Sequence, residues 1–169
     1  MPDLHYLADP DAVELTRGVG DALRLLRQHD YLILCITNQS GVGRGFFSEE
    51  TLHRIHERIN ERLRPYYAAV DAFYYCPHTP EQRCDCRKPG TALFLRAAED
   101  WAVDFPTSAI IGDRAADIEA GRRLGLFTVL VPEVAHEGLV DRELHEQGIR
   151  PDVRASTFGA AAAAVLHRG

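Results

Sequence analysis

"SAIIGDRAADIEAGRRLGLFTVLVP", residues 108–132, decides the fold. "SAIIGD" is a short apolar run ending on a glycine and an acid, the pattern of a strand buried on both faces. "RAADIEAGRRLG" reads as a helix closed by Gly125, and "FTVLVP" as a second apolar strand bounded by proline. The same alternation runs outward. Upstream, "GVGDALRLLRQHD" (18–30) spaces Val19, Ala22, Leu23 and Leu26 as one face of a helix, and "YLILCITN" (31–38) follows as a strand. "SEETLHRIHERINERLRPYY" (48–67) is a helix with Ser48 as N-cap and an apolar stripe of Leu52, Ile55, Ile59 and Leu63. "VDAFYYCP" (70–77) is a strand and "TALFLRAAEDWAV" (91–103) a helix, and "PDVRAS" with "TFGAAAAAVLHR" (151–168) forms a last strand-helix pair. With no Gly/Ser linker and no repeat, this predicts a single domain over 1–169, α/β in class, with a mostly parallel sheet flanked by helices. Ligands of such sheets sit beyond the carboxyl ends of the strands, where Thr37, Asn38, Cys76 and Asp113 fall.

The 169 residues carry a net charge of −6 with 46% hydrophobic and 26% charged residues, ordinary for a soluble globular chain. That balance argues against a nucleic-acid or anionic-membrane footprint but not against a small anionic substrate. No apolar run reaches membrane-spanning length, and "MPDLHYLADPDAVE" lacks the basic and apolar regions of a signal peptide. A cytoplasmic chain, monomeric and with reduced thiols, is expected.

Clustered cysteines in such a chain usually mean metal. "CPHTPEQRCDCRKPG" (76–90) spaces Cys76, His78, Cys84 and Cys86 as the four ligands of one tetrahedral site, and three thiolates with an imidazole select zinc. Four protein ligands leave no position for water, so the metal is structural. Arg87 and Lys88 follow the last ligand directly, so the metal fixes where two cations point. Cys35, inside an apolar run, reads as a small core residue.

"ITNQSGVGRG" (36–45) puts Thr37, Ser40 and several glycines at a strand's end, where hydroxyls and backbone N–H groups cradle a phosphate, and Arg44 adds a guanidinium for an oxyanion. Asp113 and Asp117 flank the next such junction. They can serve as ligands of a hard cation such as Mg²⁺, or simply as helix-terminal acids. Thr37 and Lys88 at matching strand ends favour the cation.

These stretches, in this order, resemble the motifs of the haloacid dehalogenase (HAD) superfamily of phosphatases: "TNQSG" its second motif, the lysine of "CRKP" its third, "GDRAAD" its fourth. The zinc loop narrows the resemblance to the small branch without a large cap domain, which acts on D-glycero-D-manno-heptose 1,7-bisphosphate in lipopolysaccharide biosynthesis or on histidinol phosphate. The resemblance implies a Rossmann-like HAD fold. It implies that Thr37 donates to the transferring phosphoryl group, that Lys88 neutralises its charge and that Asp113 binds Mg²⁺. Asn38, Gln39, Ser40, Arg87 and Arg114 are then substrate contacts. The reaction of this superfamily runs through an aspartyl phosphate, with a second aspartate as acid and base.

That aspartate pair, Asp-x-Asp-Gly at the end of a first strand, is not found. Asp3 precedes no such motif, and Asp9 and Asp11 form Asp-Pro-Asp without a preceding strand. "HYLADPDAVELTRGV" (5–19) resembles the segment just after that strand, through its tyrosine and its Gly-Val entry to a helix, so the nucleophile is expected upstream of Met1. The resemblance places the missing first strand at the centre of the sheet, between "YLILCITN" and "SAIIGD". The chain alone is therefore expected to be inactive, and the upstream strand to restore turnover.

The leading function is thus a Mg²⁺-dependent phosphatase of the heptose bisphosphate. Ser40 supports it, since the histidinol-phosphate branch tends to carry an acid there, although the five-residue gap in the zinc loop suits that alternative. A zinc-stabilised binding module without catalysis is the non-enzymatic alternative. His5, His29, His53, His56, His136, His145 and His167 lack ligand spacing and are expected to be plain surface or partly buried residues, and Trp101 a core residue.

Overall fold

A computed structural model describes residues 6–168; Asp3 and His5 lie outside them. The chain divides into two compact units, Met1–Arg87 and Lys88–Gly169.

The first unit contains α1 (Val19–Gln28), β1 (Leu34–Asn38), α2 (Ser40–Gly43), α3 (Glu49–Leu63) and β2 (Ala72–Cys76). α1 buries Ala22, Leu23 and Leu26, the apolar stripe its spacing predicts. α3 begins where Ser48 accepts the Thr51 N–H at 3.1 Å, which satisfies one of the donors a helix start leaves over. It buries Leu52, Ile55 and Leu63, and His56 as well. β1 and β2 run parallel with Thr37 opposite Tyr75 and Asn38 opposite Cys76, so both strands deliver their last residues to one end of the sheet. At the other end, Asp71 accepts the Ile33 N–H and the Arg27 guanidinium, both at 2.8 Å.

The second unit holds α4 (Ala92–Trp101), β3 (Ala109–Gly112), α5 (Ala115–Leu124), β4 (Phe127–Leu130), α6 (Glu137–Gln147), β5 (Val153–Arg154) and α7 (Phe158–Leu166). Its sheet is parallel, in the order β3-β4-β5. α5 ends at Gly125 in the left-handed conformation, as the sequence predicts. Ala115, Ile118, Leu130, Val140 and Leu144 pack into one core beneath α5 and α6. The alanine run puts Ala161 and Ala162 wholly inside. Thr128, also fully buried, is satisfied by Asp152, whose carboxylate accepts both its N–H (2.8 Å) and its hydroxyl (2.7 Å).

Parallel strands flanked by helices are what the alternation predicts, but they form two sheets where it predicts one. The strand that the resemblance inserts between "YLILCITN" and "SAIIGD" is not among the described elements. Three local readings change. Trp101 is 43% exposed at the end of α4 rather than a core residue. Cys35 is only half-buried. α6 was not legible because only Val140 and Leu144 face inward from a largely polar stretch; Gly148, in the left-handed conformation at its end, was the available signal. No described helix is long and apolar enough to cross a membrane.

Candidate active site

In the first unit the chemistry gathers beyond β1 and β2. Thr37 is next to last in β1, its hydroxyl oxygen accepting the Gln39 side-chain amide at 3.2 Å, a bond that does not use the Thr37 proton. Backbone bonds then tie the loop after β1 to the loop after β2: Gln39 N–H to Cys76 C=O at 2.8 Å and Gly43 N–H to Pro77 C=O at 2.9 Å. Gly43 is required there, since a Cβ would stand 2.5 Å from the Pro77 oxygen. Ser40 is buried with its hydroxyl 3.0 Å from the Tyr6 hydroxyl. Through that contact the Ser40 side chain ties its loop to Tyr6. Arg44, beyond α2, stays half-exposed with Nη2 3.5 Å from Glu81 of the cysteine loop.

Cys76, His78, Cys84 and Cys86 converge, with their four ligand atoms all within 4.8 Å of one another. Cys86 Sγ lies 3.0 Å from Cys76 Sγ, 3.4 Å from Cys84 Sγ and 3.1 Å from His78 Nδ1. A zinc tetrahedron with bonds of about 2.3 Å separates its sulfurs by about 3.8 Å, so the cluster accepts the ion with less than about 1 Å of expansion. The protonation balance points the same way. Burial and the neighbouring Cys76 and Cys84 sulfurs push the Cys86 thiol up to about 12. Cys84 is opposed by desolvation, yet hydrogen bonds from Cys86 and Cys76 bring it down to about 7. One thiolate is thus favoured and the others resisted, a balance that a dication reverses by stabilising all three. The donor set and its geometry fit zinc. Arg87 reaches back to the His78 carbonyl at 3.5 Å.

In the second unit Lys88 Nζ meets Asp117 Oδ1 at 2.6 Å, with side-chain exposures of only 15% and 5%. The other Asp117 oxygen accepts the backbone N–H groups of Asp113 (3.1 Å) and Arg114 (3.0 Å). Gly112 makes this approach possible, because a Cβ there would lie 2.3 Å from the Asp117 Cβ. One Asp117 carboxylate thus holds the lysine and shapes the turn that carries Asp113. Asp113 itself is half-exposed, and its carboxyl is raised above the usual carboxylate range, first by burial and then by the Asp117 charge. A carboxylate whose negative charge is disfavoured at a strand end fits one oxygen ligand of Mg²⁺. Arg114 lies 3.3 Å from both Asp113 Oδ2 and His136 Nδ1, and Glu133 Oε2 lies 2.8 Å from the same His136 nitrogen. His136, Glu133, Glu81 and Tyr6 were not picked out as site residues; the first two follow the end of β4, the position in this architecture where ligands sit.

The chain is similar to known proteins. A "Probable D-glycero-D-manno-heptose-1,7-bisphosphate 7-phosphatase" of Thermoplasma volcanium is 38% identical over 125 residues, 73% of this chain and 86% of the relative. The D-glycero-beta-D-manno-heptose-1,7-bisphosphate 7-phosphatase of Haemophilus ducreyi is 38% identical over 133 residues, 75% of this chain and 73% of the relative. The chain belongs to the heptose bisphosphate phosphatases of the HAD superfamily. A family model described as "HAD-hyrolase-like" matches residues 85–165 of this HAD chain, the stretch carrying Lys88 and Asp113. The solved D,D-heptose 1,7-bisphosphate phosphatase of B. bronchiseptica, complexed with magnesium and phosphate, superposes with a TM-score of 0.82 at 28% identity, over 99% of this HAD chain and 92% of that one. The corresponding enzyme of Burkholderia thailandensis gives 0.68 at 25% identity over 94% and 90%.

Proposed function

We propose that this chain carries the phosphate-handling residues of a Mg²⁺-dependent phosphatase that removes the 7-phosphate of D-glycero-D-manno-heptose 1,7-bisphosphate. The observation that carries the reading is the Lys88–Asp117 pair at 2.6 Å, because the same carboxylate also holds the backbone of Asp113 and Arg114. A buried lysine pre-aimed by an acid stabilises charge developing on a phosphoryl oxygen without reorganising at the moment of reaction. Thr37, its oxygen already engaged by Gln39, keeps its proton free to donate to a phosphoryl oxygen. Asp113 supplies an oxygen to Mg²⁺, which when bound neutralises phosphoryl charge. Asn38, Gln39, Arg44, Arg87 and Arg114 contact the substrate, and Ser40 acts through the shape of its loop. Zinc in the Cys76, His78, Cys84 and Cys86 site holds the strand-end loops rather than touching the substrate. The names of the relatives and the residue-by-residue presence of the motifs support the choice of sugar.

Calorimetric titration in Mg²⁺ tests it, with the heptose bisphosphate compared with histidinol phosphate. Preference for the bisphosphate, lost in Lys88→Ala, is the expected result. Preference for histidinol phosphate overturns the substrate assignment, and equal binding by Lys88→Ala overturns the site.

A further inference from the structure

The heptose bisphosphate carries two phosphates, and Thr37 with its neighbours accounts for one. α2 lies between Thr37 and Arg44 and its four residues advance the backbone by about 6 Å, and the Arg44 guanidinium is turned to the cysteine loop. There the guanidinium, 40% exposed, faces the Glu81 carboxylate, 70% exposed, at 3.5 Å.

Both partners sit on braced backbone. The Gly43 N–H bonds the Pro77 carbonyl and the Arg44 N–H bonds the Ser40 carbonyl, while Glu81 lies within the turn in which the Thr79 N–H donates to Gln82 Oε1 at 2.7 Å. Zinc-ligating residues flank that turn on either side. The pair is therefore a contact between two anchored loops, made by side chains that remain in water. Exposed pairs of this kind are weak and break at little cost. A phosphate dianion offers Arg44 more charge and a better-matched set of oxygens than one carboxylate does.

We propose that Glu81 is a specificity-determining residue: its carboxylate holds the place on Arg44 that the retained 1-phosphate of the substrate takes. This rests on the bisphosphate reading for the identity of the displacing group, but not for the competition itself. Compounds without a second phosphate neither displace Glu81 nor lose affinity to it, so Glu81 tempers the preference for bisphosphates over monophosphates that Arg44 would otherwise give.

The test has two arms. In the first, inorganic phosphate is titrated into the chain while the Arg44 Nε–H resonance is followed by NMR. Glu81→Gln, at an exposed position and checked for retained zinc, is expected to lower the half-saturating phosphate concentration by roughly threefold at low salt, a gain that shrinks in high salt. Arg44→Gln is expected to remove the response assigned to that site. In the second arm, calorimetry compares heptose 1,7-bisphosphate with heptose 7-phosphate; Glu81→Gln is expected to tighten the first by a similar factor and leave the second unchanged. Phosphate affinity that is unchanged or weaker in Glu81→Gln overturns the proposal, as does equal tightening of the 7-phosphate. Failure of both forms to bind the bisphosphate, with the inorganic-phosphate difference intact, overturns the sugar reading and supports the competition for Arg44.

Discussion

Replacing Asp117 with asparagine asks how much the buried carboxylate does. Its two oxygens serve three donors: Lys88 Nζ at 2.6 Å, and the Asp113 and Arg114 N–H groups at 3.1 and 3.0 Å. Asparagine keeps the volume but offers one oxygen and one NH₂. If the oxygen stays with the two backbone donors, the NH₂ turns toward the ammonium, donor against donor. Taking the carboxylate away from a buried cation costs about 3–5 kcal/mol. If the amide flips, two backbone donors lose their acceptor at about 1–3 kcal/mol each. Either arrangement destabilises by about 2 kcal/mol or more. Urea unfolding of the zinc-loaded chain measures it. Calorimetry should show phosphate binding weakened together with stability, because the lysine is no longer aimed. The double variant Lys88→Met/Asp117→Leu should recover most of the stability, since a buried pair replaced by apolar side chains is often neutral, yet recover no binding. Asp117→Asn within 1 kcal/mol of the parent, with unaltered phosphate affinity, would refute the assignment of Asp117 as the residue that aims Lys88.

Four further outcomes are expected. Asp113→Asn should leave stability unchanged or slightly raised, since it removes a carboxylate whose charge burial and Asp117 disfavour, while Mg²⁺ affinity falls; calorimetry with Mg²⁺ reads the second effect. Gly112→Ala should resemble Asp117→Asn in denaturation, because its Cβ would meet the Asp117 Cβ at 2.3 Å. Metal analysis should find one zinc per chain. Cys84→Ser should lose it, and amide exchange should then quicken at Gln39 and Gly43, the two N–H groups tied to the Cys76 and Pro77 carbonyls. Finally, His56 lies flat on Phe73 (4.2 Å between centroids, 7° between planes), and burial, then His53, lowers its pKa to about 4. The folded state resists a proton that the unfolded chain accepts, so stability is lost as pH falls from about 6.5 toward 4, by at most about 3 kcal/mol. Denaturation midpoints across that range should show this, and His56→Phe should flatten the slope.

What was legible in the sequence is what depends on neighbours along the chain. The Ser48 cap and the Gly125 stop are one-turn events, and the apolar stripes of α1 and α3 are written in their own spacing. The four zinc ligands fall within one loop, so their convergence needed little help from the rest of the fold. Tertiary structure alone decided the partners that meet across long stretches of chain. Asp117 could have been a metal ligand or a helix-terminal acid; only folding brings it to Lys88, 29 positions earlier, and makes it a counter-ion. His56 had no ligand spacing and read as an ordinary residue until α3 was laid on β2, where Phe73 took its ring. Ser40 looked open until Tyr6 bonded it, and Arg44 looked uncommitted until the cysteine loop presented Glu81. Caps and periodicity are local and repeat, whereas a side chain's charge partner is set by the packing that places distant segments together, and no short window of sequence contains it.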